Sequence, residues 1–411
     1  MAPVSTVRMP PLSGPGAAAA AMTPRPSVVP LPARPLRIAF VSETWLPSTD
    51  GVVTRLVATV RRLRALGHET CMVAPAPSDP SFEGMPVYTV PTVALSFIAG
   101  GRPWGLPLPR VARYLDAFRP DIVHVVNPFV IGVAGVVAAR RRRWPLVCSY
   151  HTNVAAYARF YHMGFTHPAI WTLLRLVHNA ADLNFATSEA VRADIVAHGI
   201  QRVDLWERAV DTTLFHPSHR DAAMRARLSR RAPGAPLAVY VGRLAPEKGL
   251  SRLTALLQTT LPFNLAFVGD GPYRGQMERM FAPSGAVFTG MLLGEELAQA
   301  YASADLFLFP STTDTLGLVV LEALSSGLPV VAADSAPSRE ILGGTGAGRL
   351  FQAQSADSLR STVESLIAPG SEVVRRALSE NARAEAERHD WSAATDHLLG
   401  AYARVLATRR A

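Results

Sequence analysis

The apolar run Arg37-Ile38-Ala39-Phe40-Val41-Ser42 reads as a buried parallel strand. A loop from Trp45 to Asp50 leads to Gly51, and 52–66 carries apolar residues at helical spacing until Gly67 and His68 end the pattern. Residues 69–74 read as a second strand. Further runs at 121–126, 145–150 and 182–187 predict strands, with a helix over 168–181 between the last two. The alternation pauses over 211–236, which is polar, Arg-rich and holds Pro217, Pro233 and Gly234. It resumes with strands at 237–241, 264–268, 287–288, 306–309 and 330–332, and closes with a helix over 393–407. Strand–helix alternation of this kind predicts an α/β fold with parallel sheets, here in two halves of near equal size. Two such halves facing each other leave a cleft at the carboxyl ends of their strands.

The organisation expected from this pattern has five parts. Residues 1–36 form a tail rich in Pro and Ala, with three Arg and no acid, unable to bury a core. A signal or transit peptide and a later start at Met22 are the rival readings of that tail; its apolar stretch is Ala rather than Leu and is flanked by Pro. Residues 37–212 form the first domain, 213–236 a linker, 237–392 the second domain, and 393–411 a helix that returns to the first.

Composition narrows the function classes. The two cysteines, Cys71 and Cys148, make neither a disulfide framework nor a four-thiolate zinc site, and suggest a reducing compartment. No run of about 18 uncharged apolar residues suggests a membrane-spanning helix. The net charge of +9 is uneven. Residues 1–212 hold 21 Arg against 13 acids, whereas 213–411 hold 19 Arg and one Lys against 19 acids. A basic first half suits nucleic acid, an anionic membrane or anionic substrates. No recognisable nucleic-acid-binding motif accompanies the charge, which argues against nucleic acid. Nor is there a His/Cys/Asp cluster at metal-ligand spacing, a Walker-type loop or a Gly-x-Ser-x-Gly elbow.

The single lysine stands out among 40 arginines. Lys248 follows Arg243 by five residues in Val241-Gly242-Arg243-Leu244-Ala245-Pro246-Glu247-Lys248, directly after a strand. A planar fork and a point charge are different donors, and together they suit a diphosphate. The bland alternative is a surface loop in which Arg243 pairs with Glu247. The densest constellation is 310–324, where a strand ends, Asp314 sits in a polar loop, and a helix starts near Gly317 with Glu322 inside it. A helix start after a strand is an anion site. Alternatively, Asp314 caps the helix and Glu322 sits in a solvated pair. Gly269-Asp270-Gly271-Pro272, Gly51 and His151 each follow a strand end, and each is weak alone.

In combination these motifs carry a resemblance. Residues 37–408 resemble retaining nucleotide-sugar glycosyltransferases of family 4, which have the GT-B fold of two Rossmann-like domains facing across a cleft. Within that family the chain is most similar to sulfoquinovosyl-diacylglycerol synthases and bacterial lipid mannosyltransferases, through Ser149-Tyr150-His151-Thr152-Asn153, Leu205-Trp206, Val210-Asp211, Phe215-His216-Pro217 and 286–297. The resemblance implies that Arg243 and Lys248 bind the donor diphosphate and that Leu316, Gly317 and Leu318 offer it backbone N–H groups. It further implies that Glu322 holds the ribose, Asp314 faces the donor sugar, Gly51 approaches the diphosphate, His151 lies by the reacting sugar, and Thr289 and Met291 sit near the base. The catalytic set implied is His151, Asp314, Arg243 and Lys248, with no metal and no cofactor beyond the nucleotide-sugar substrate.

Two departures from the family pattern stand out. Asp314 occupies the place of a usual Glu, and Glu207-Arg208-Ala209 replaces a usual Asn-Lys-Gly, so that a negative charge enters where an anionic sulfonate donor would be repelled. The donors the resemblance implies are UDP-sulfoquinovose, a UDP-hexose or GDP-mannose, and the Glu207 departure weighs toward a neutral hexose. The expected acceptor is a diacylglycerol-like lipid. The expected location is cytoplasmic, peripheral at the inner face of the plasma membrane. Arg140, Arg141, Arg142, Arg143 and Trp144 are the candidate membrane and acceptor contact, against the reading that they are a solvated helix end. Rival functions are transfer to a soluble sugar or polyol, epimerisation of a sugar nucleotide, and non-catalytic nucleotide-sugar binding.

Overall fold

The structure, a computed structural model, describes residues 34–94, 103–105, 109–152, 167–230, 232, 234–315 and 317–409. Among the described residues, ten strands belong to the first half: β1 (Arg37–Ser42), β2 (Glu69–Pro75), β3 (Ser81–Phe82), β4 (Met85–Val90), β5 (Thr92–Ala94), β6 (Pro103–Gly105), β7 (Ile122–Val126), β8 (Leu146–Tyr150), β9 (Leu183–Ala186) and β10 (Val203–Leu205). Eight of them form one sheet in the order β10-β9-β8-β7-β1-β2-β4-β3, and β5 and β6 pair separately. All its pairings are parallel except β3 with β4. Helices cover both faces, so the central strands are buried on both faces, at nearly every position rather than at alternate ones, and are mostly apolar.

Helix α1 (Gly51–Ala65) starts where Asp50 accepts from the N–H groups of Val52 and Val53, and buries Val53, Leu56, Val60 and Leu63. On the opposite face lie α2 (Arg110–Phe118), α3 (Ile131–Arg142) and α4 (His167–Asn179), with α5 (Glu189–Ala197) packed against α4. The second sheet contains β11 (Leu237–Val241), β12 (Asn264–Val268), β13 (Val287–Gly290), β14 (Leu306–Phe309), β15 (Val330–Ala333) and β16 (Gly348–Phe351), in the order β13-β12-β11-β14-β15-β16, all parallel. Its helices are α6 (Ala222–Leu228), α7 (Arg274–Phe281), α8 (Gly294–Ala302), α9 (Leu318–Ser325), α10 (Ala336–Leu342), α11 (Ala356–Ile367) and α12 (Glu372–Ala386). The last helix, α13 (Trp391–Thr408), packs Leu398, Leu399 and Tyr402 beside α1 in the first core, where the Tyr402 hydroxyl meets His124 Nδ1 at 2.6 Å.

Each sheet has one place where the chain reverses direction across it. After β1 the chain builds outward through β2 and β4, then returns to the other side of β1 with β7. After β11 it builds through β12 and β13, then returns to the other side of β11 with β14. The crevices outside the carboxyl ends of β1/β7 and of β11/β14 are the ligand positions this topology creates.

Three expectations need correction. Residues 34–36 are not tail: Leu36 is buried and Arg34 pairs with Asp121 at 2.5 Å, while residues 1–33 lie outside the described residues. The segment expected as a linker, 213–236, holds α6 and feeds Phe215, Met224 and Leu228 into the second core, because its few apolar side chains fall on one face of a short helix and on the turn before it. The basic run does not reach the cleft. Arg140–Arg143 end α3, which runs back to the amino end of β8, at the opposite edge of the sheet from the carboxyl ends. There Arg142 pairs with Asp116 at 2.7 Å, Arg140 lies 3.6 Å from Asp182, and Trp144 packs against the first core. These residues thus stand away from the β1/β7 crevice. No helix among the described residues is long and apolar enough to cross a membrane.

Candidate active site

Two loops meet at the crevice of the second sheet. The first follows β11 and carries Arg243 and Lys248; the second follows β14 and carries Asp314. Lys248 Nζ donates to Asp314 Oδ1, so the lone ammonium is placed by the opposite loop. Arg243 donates to Glu247 Oε1, and Glu247 is buried at 1% side-chain exposure. The pairing considered as a bland alternative is therefore present, and it holds the guanidinium in the crevice rather than on an open surface. Thr313 Oγ1 donates to the Glu247 carbonyl at 2.9 Å, and Arg252 Nη1 donates to the Pro310 carbonyl at 3.1 Å, which ties the two loops along their length.

Gly269 and Gly271 brace the first loop from behind. A Cβ on Gly269, whose φ is +131°, would stand 2.1 Å from the Gly242 carbonyl oxygen. One on Gly271, at φ +156°, would stand 2.3 Å from that of Leu244. The close approach is sealed by Gly242 N–H to the Val268 carbonyl (3.0 Å) and Leu244 N–H to the Asp270 carbonyl (2.9 Å). The Gly-Asp-Gly-Pro turn is thus the backbone seat of the cation loop.

Helix α9 opens the crevice from the other side. Its cap is Gly317, at φ +63°, with no side chain to bond the first N–H groups. Asp314 does not cap it, because its carboxylate is on Lys248. The uncapped start carries the positive end of the helix dipole. Leu318 stands against Gly51 at the start of α1, so the two helix N-termini face each other across the cleft. Leu316 lies outside the described residues. Glu322 is not in a solvated pair: it accepts from the Tyr301 hydroxyl at 2.9 Å, and burial pushes its carboxyl up to about 7. At the edge of the crevice, Thr289 Oγ1 donates to the Gly290 carbonyl at 2.7 Å. Met291 is 55% exposed and receives Thr49 Oγ1 of the first domain at 3.3 Å.

His151 directly follows β8 and is buried. Its backbone N–H donates to Asn127 Oδ1 (3.2 Å), and its Nε2 meets Ser149 Oγ (2.9 Å). Burial, then the nearby Arg55 cation, hold its imidazole well below the usual histidine range, so it is neutral. Thr315 Oγ1 donates to the His151 carbonyl, and Thr187 Oγ1 donates to the Thr315 carbonyl at 2.9 Å. The loop carrying Asp314 is therefore docked directly on His151.

Sequence reasoning missed the residues that bring the domains together. Glu340 of α10 forms an ion pair with Arg208 at 2.8 Å and accepts from the N–H groups of Glu189 and Ala190 at the start of α5. Thr187, Thr315 and Glu340 carry no motif of their own; only the fold makes them neighbours. Glu207, expected to oppose an anionic donor, instead lies 3.3 Å from His397 Nδ1. Hydrogen bonding to Asp204 and Glu207 raises His397 to about 9, so this carboxylate is neutralised by α13. Among the described residues no group of three or more His, Cys, Asp or Glu side chains could hold a metal.

Comparison with known proteins follows this geometry. Residues 49–214 match Glycosyltransferase Family 4, and residues 226–385 match Glycosyl transferases group 1. The chain is 36% identical over 371 residues to a sulfoquinovosyl transferase of Arabidopsis thaliana, covering 88% of this chain and 72% of that one. It is also 36% identical over 381 residues to a GDP-mannose-dependent α-mannosyltransferase of Mycolicibacterium smegmatis, covering 91% of this chain and 99% of that one. An α-monoglucosyldiacylglycerol synthase of Acholeplasma laidlawii is 26% identical, with 72% and 80% covered. The solved structure of HepE from Anabaena, in complex with UDP and glucose, superposes with a TM-score of 0.71 at 20% identity, over 88% of this chain and 98% of that one. At that identity the likeness establishes the fold.

Proposed function

The chain belongs to the family 4 glycosyltransferases, with the two-domain GT-B fold, and from that premise we propose that it moves a sugar from a nucleotide-sugar donor to a lipid hydroxyl with retention of configuration. The observation that carries the reading is the junction at β11/β14. There Arg243, Lys248 and the uncapped start of α9 surround one crevice, with Asp314 beside them. Three positive ends on one spot suit a diphosphate that gains charge as its bond to the sugar breaks. They do for the leaving group what a divalent metal does elsewhere, so the proposed reaction is metal-independent.

In this reading Lys248 and Arg243 stabilise the departing diphosphate. Asp314, held by Lys248, accepts from hydroxyls of the sugar. Glu322, ionised, accepts from the ribose. Neutral His151 bounds the reacting carbon without adding a positive charge to an oxocarbenium-like transition state. The acceptor hydroxyl attacks from the face the diphosphate leaves, and a leaving phosphate oxygen takes its proton.

The lipid acceptor rests on the relatives: one is named for glucosyldiacylglycerol synthesis and another for sulfoquinovosyl transfer. The positive surplus of residues 1–212 supports peripheral contact with an anionic bilayer at the cytoplasmic face. The test is incubation with diacylglycerol vesicles and UDP-sulfoquinovose, UDP-glucose, UDP-galactose or GDP-mannose, read by mass spectrometry of the lipids. One glycolipid, formed in the presence of EDTA, is the expected result. Donor hydrolysis without glycolipid would move the acceptor to a soluble sugar or polyol. Donor binding with neither transfer nor hydrolysis would leave a binding protein.

A further inference from the structure

The Trp206 indole lies at the centre of a buried basic cluster on the first-domain side of the cleft. The Arg55 guanidinium stands 4.7 Å over its ring, and the rings of His124 and His151 lie 4.9 and 5.2 Å from it. Arg55 is fully buried, and its Nη2 donates to the carbonyls of Trp206 and Glu207. Its Nε and Nη1 have no partner among the described residues. The same is true of Arg208 Nε, His151 Nδ1 and His124 Nε2. Buried polar groups are almost always paired, so several unused nitrogens around one ring call for an explanation. The guanidinium groups among them only donate, and His151 Nδ1 joins them as a donor in the tautomer whose Nε2 accepts from Ser149.

The carboxylates close by do not answer these donors. Glu207 and Asp204 face His397, Asp204 also takes Arg404, and Glu340 takes Arg208 through Nη2. The cluster lies under the loop that carries Asp314, because Thr315, the next residue, rests on the His151 carbonyl. In the reading that Asp314 holds the donor sugar, this cluster sits on the first-domain side of that sugar. A hydroxymethyl group offers one acceptor and brings a donor of its own. A sulfonate or carboxylate brings acceptors only, and neutralises a cation as well.

We propose that Arg55 and His151, beside Trp206, form a subsite for an oxyanion, sulfonate or carboxylate, borne by the sugar that is transferred. This rests on the reading that a nucleotide sugar occupies the cleft. It separates an anionic-sugar donor from the neutral hexoses that the same nucleotide side would accept.

Calorimetry on the full chain tests it without an acceptor. UDP, GDP, UDP-sulfoquinovose, UDP-glucose and GDP-mannose are titrated into the wild type, Arg55→Met and Arg55→Lys, with thermal melts of each. The expected result is UDP-sulfoquinovose bound at least about tenfold tighter than UDP-glucose. Arg55→Met should lose that margin with UDP affinity unchanged, and Arg55→Lys should keep part of it. Equal binding of the two donors, tighter binding of GDP-mannose, or a margin that survives Arg55→Met overturns the subsite. If Arg55→Met melts before assay, the wild-type margin and Arg55→Lys still decide. Transfer from a neutral donor that requires a phosphate-bearing lipid and falls in Arg55→Lys would place the anion on the acceptor and overturn the assignment to the sugar. Failure to bind either UDP or GDP removes the glycosyltransferase reading itself, whereas normal nucleotide binding without a sulfonate margin removes the subsite alone.

Discussion

On the second-domain side of the cleft, Arg243 and Lys248 each lie against a carboxylate, on loops locked to their neighbours by backbone contacts. On the first-domain side, Arg55 and His151 are buried with nitrogens that have no partner among the described residues. A paired cation at a crevice mouth is already stable and keeps its place whether or not a ligand is present. An unpaired buried one is costly until something answers it. The difference assigns the general task, holding a nucleoside diphosphate, to the rigid paired side. It assigns the discriminating task, reading the sugar, to the side with unmet donors.

The largest effect is expected from breaking the paired side. Lys248→Ala should lower turnover by on the order of a hundredfold or more at saturating donor. The melting temperature should move little, since the ammonium serves charge rather than packing; steady-state kinetics beside a thermal melt checks both. Next comes the seat of that loop. Gly269→Ala forces a Cβ onto the Gly242 carbonyl at a backbone angle that suits only glycine, and should cost about 2–4 kcal/mol in urea unfolding. Loss of activity without loss of stability there would contradict the bracing role.

The pH dependence sharpens the same comparison. Glu322 has its carboxyl raised to about 7 and must ionise to accept ribose hydroxyls. Nucleotide affinity should therefore rise as pH goes from 6 to 8, and Glu322→Gln should flatten the profile in calorimetry. On the first-domain side His397 is raised to about 9 from an ordinary value of 6.5. Its stabilisation is full below 6.5 and is lost as pH rises through 9. The gap in urea midpoint between wild type and His397→Gln should thus be widest near pH 6 and close near pH 10. The smallest effect belongs to Arg141→Ala with Arg143→Ala, at the far edge of the sheet. Donor binding in that double variant should match the wild type.

Much of this architecture is legible along the chain. β1, β11, β12 and β14 fall on the expected residues because buried parallel strands are continuous apolar runs with sharp ends. β4, β10 and β16 are not anticipated, since their mixed and half-exposed residues lack that signature. Lys248, Asp314 and Gly317 stand out in the sequence by rarity and by position after strands. Arg55 does not, because on a helix face it reads as one more surface arginine until Trp206, some 150 residues later, closes over it. The role of Glu207 is hidden for the same reason: the histidine that neutralises it comes from α13, at the other end of the chain.

The most direct test of the account is a crystal structure of the protein with the nucleoside diphosphate bound. The diphosphate should lie between Arg243, Lys248 and the start of α9, within hydrogen-bond reach of Lys248 Nζ and the Leu318 N–H, with the ribose on Glu322. A diphosphate bound away from the β11/β14 junction, or a ribose remote from Glu322, would contradict it.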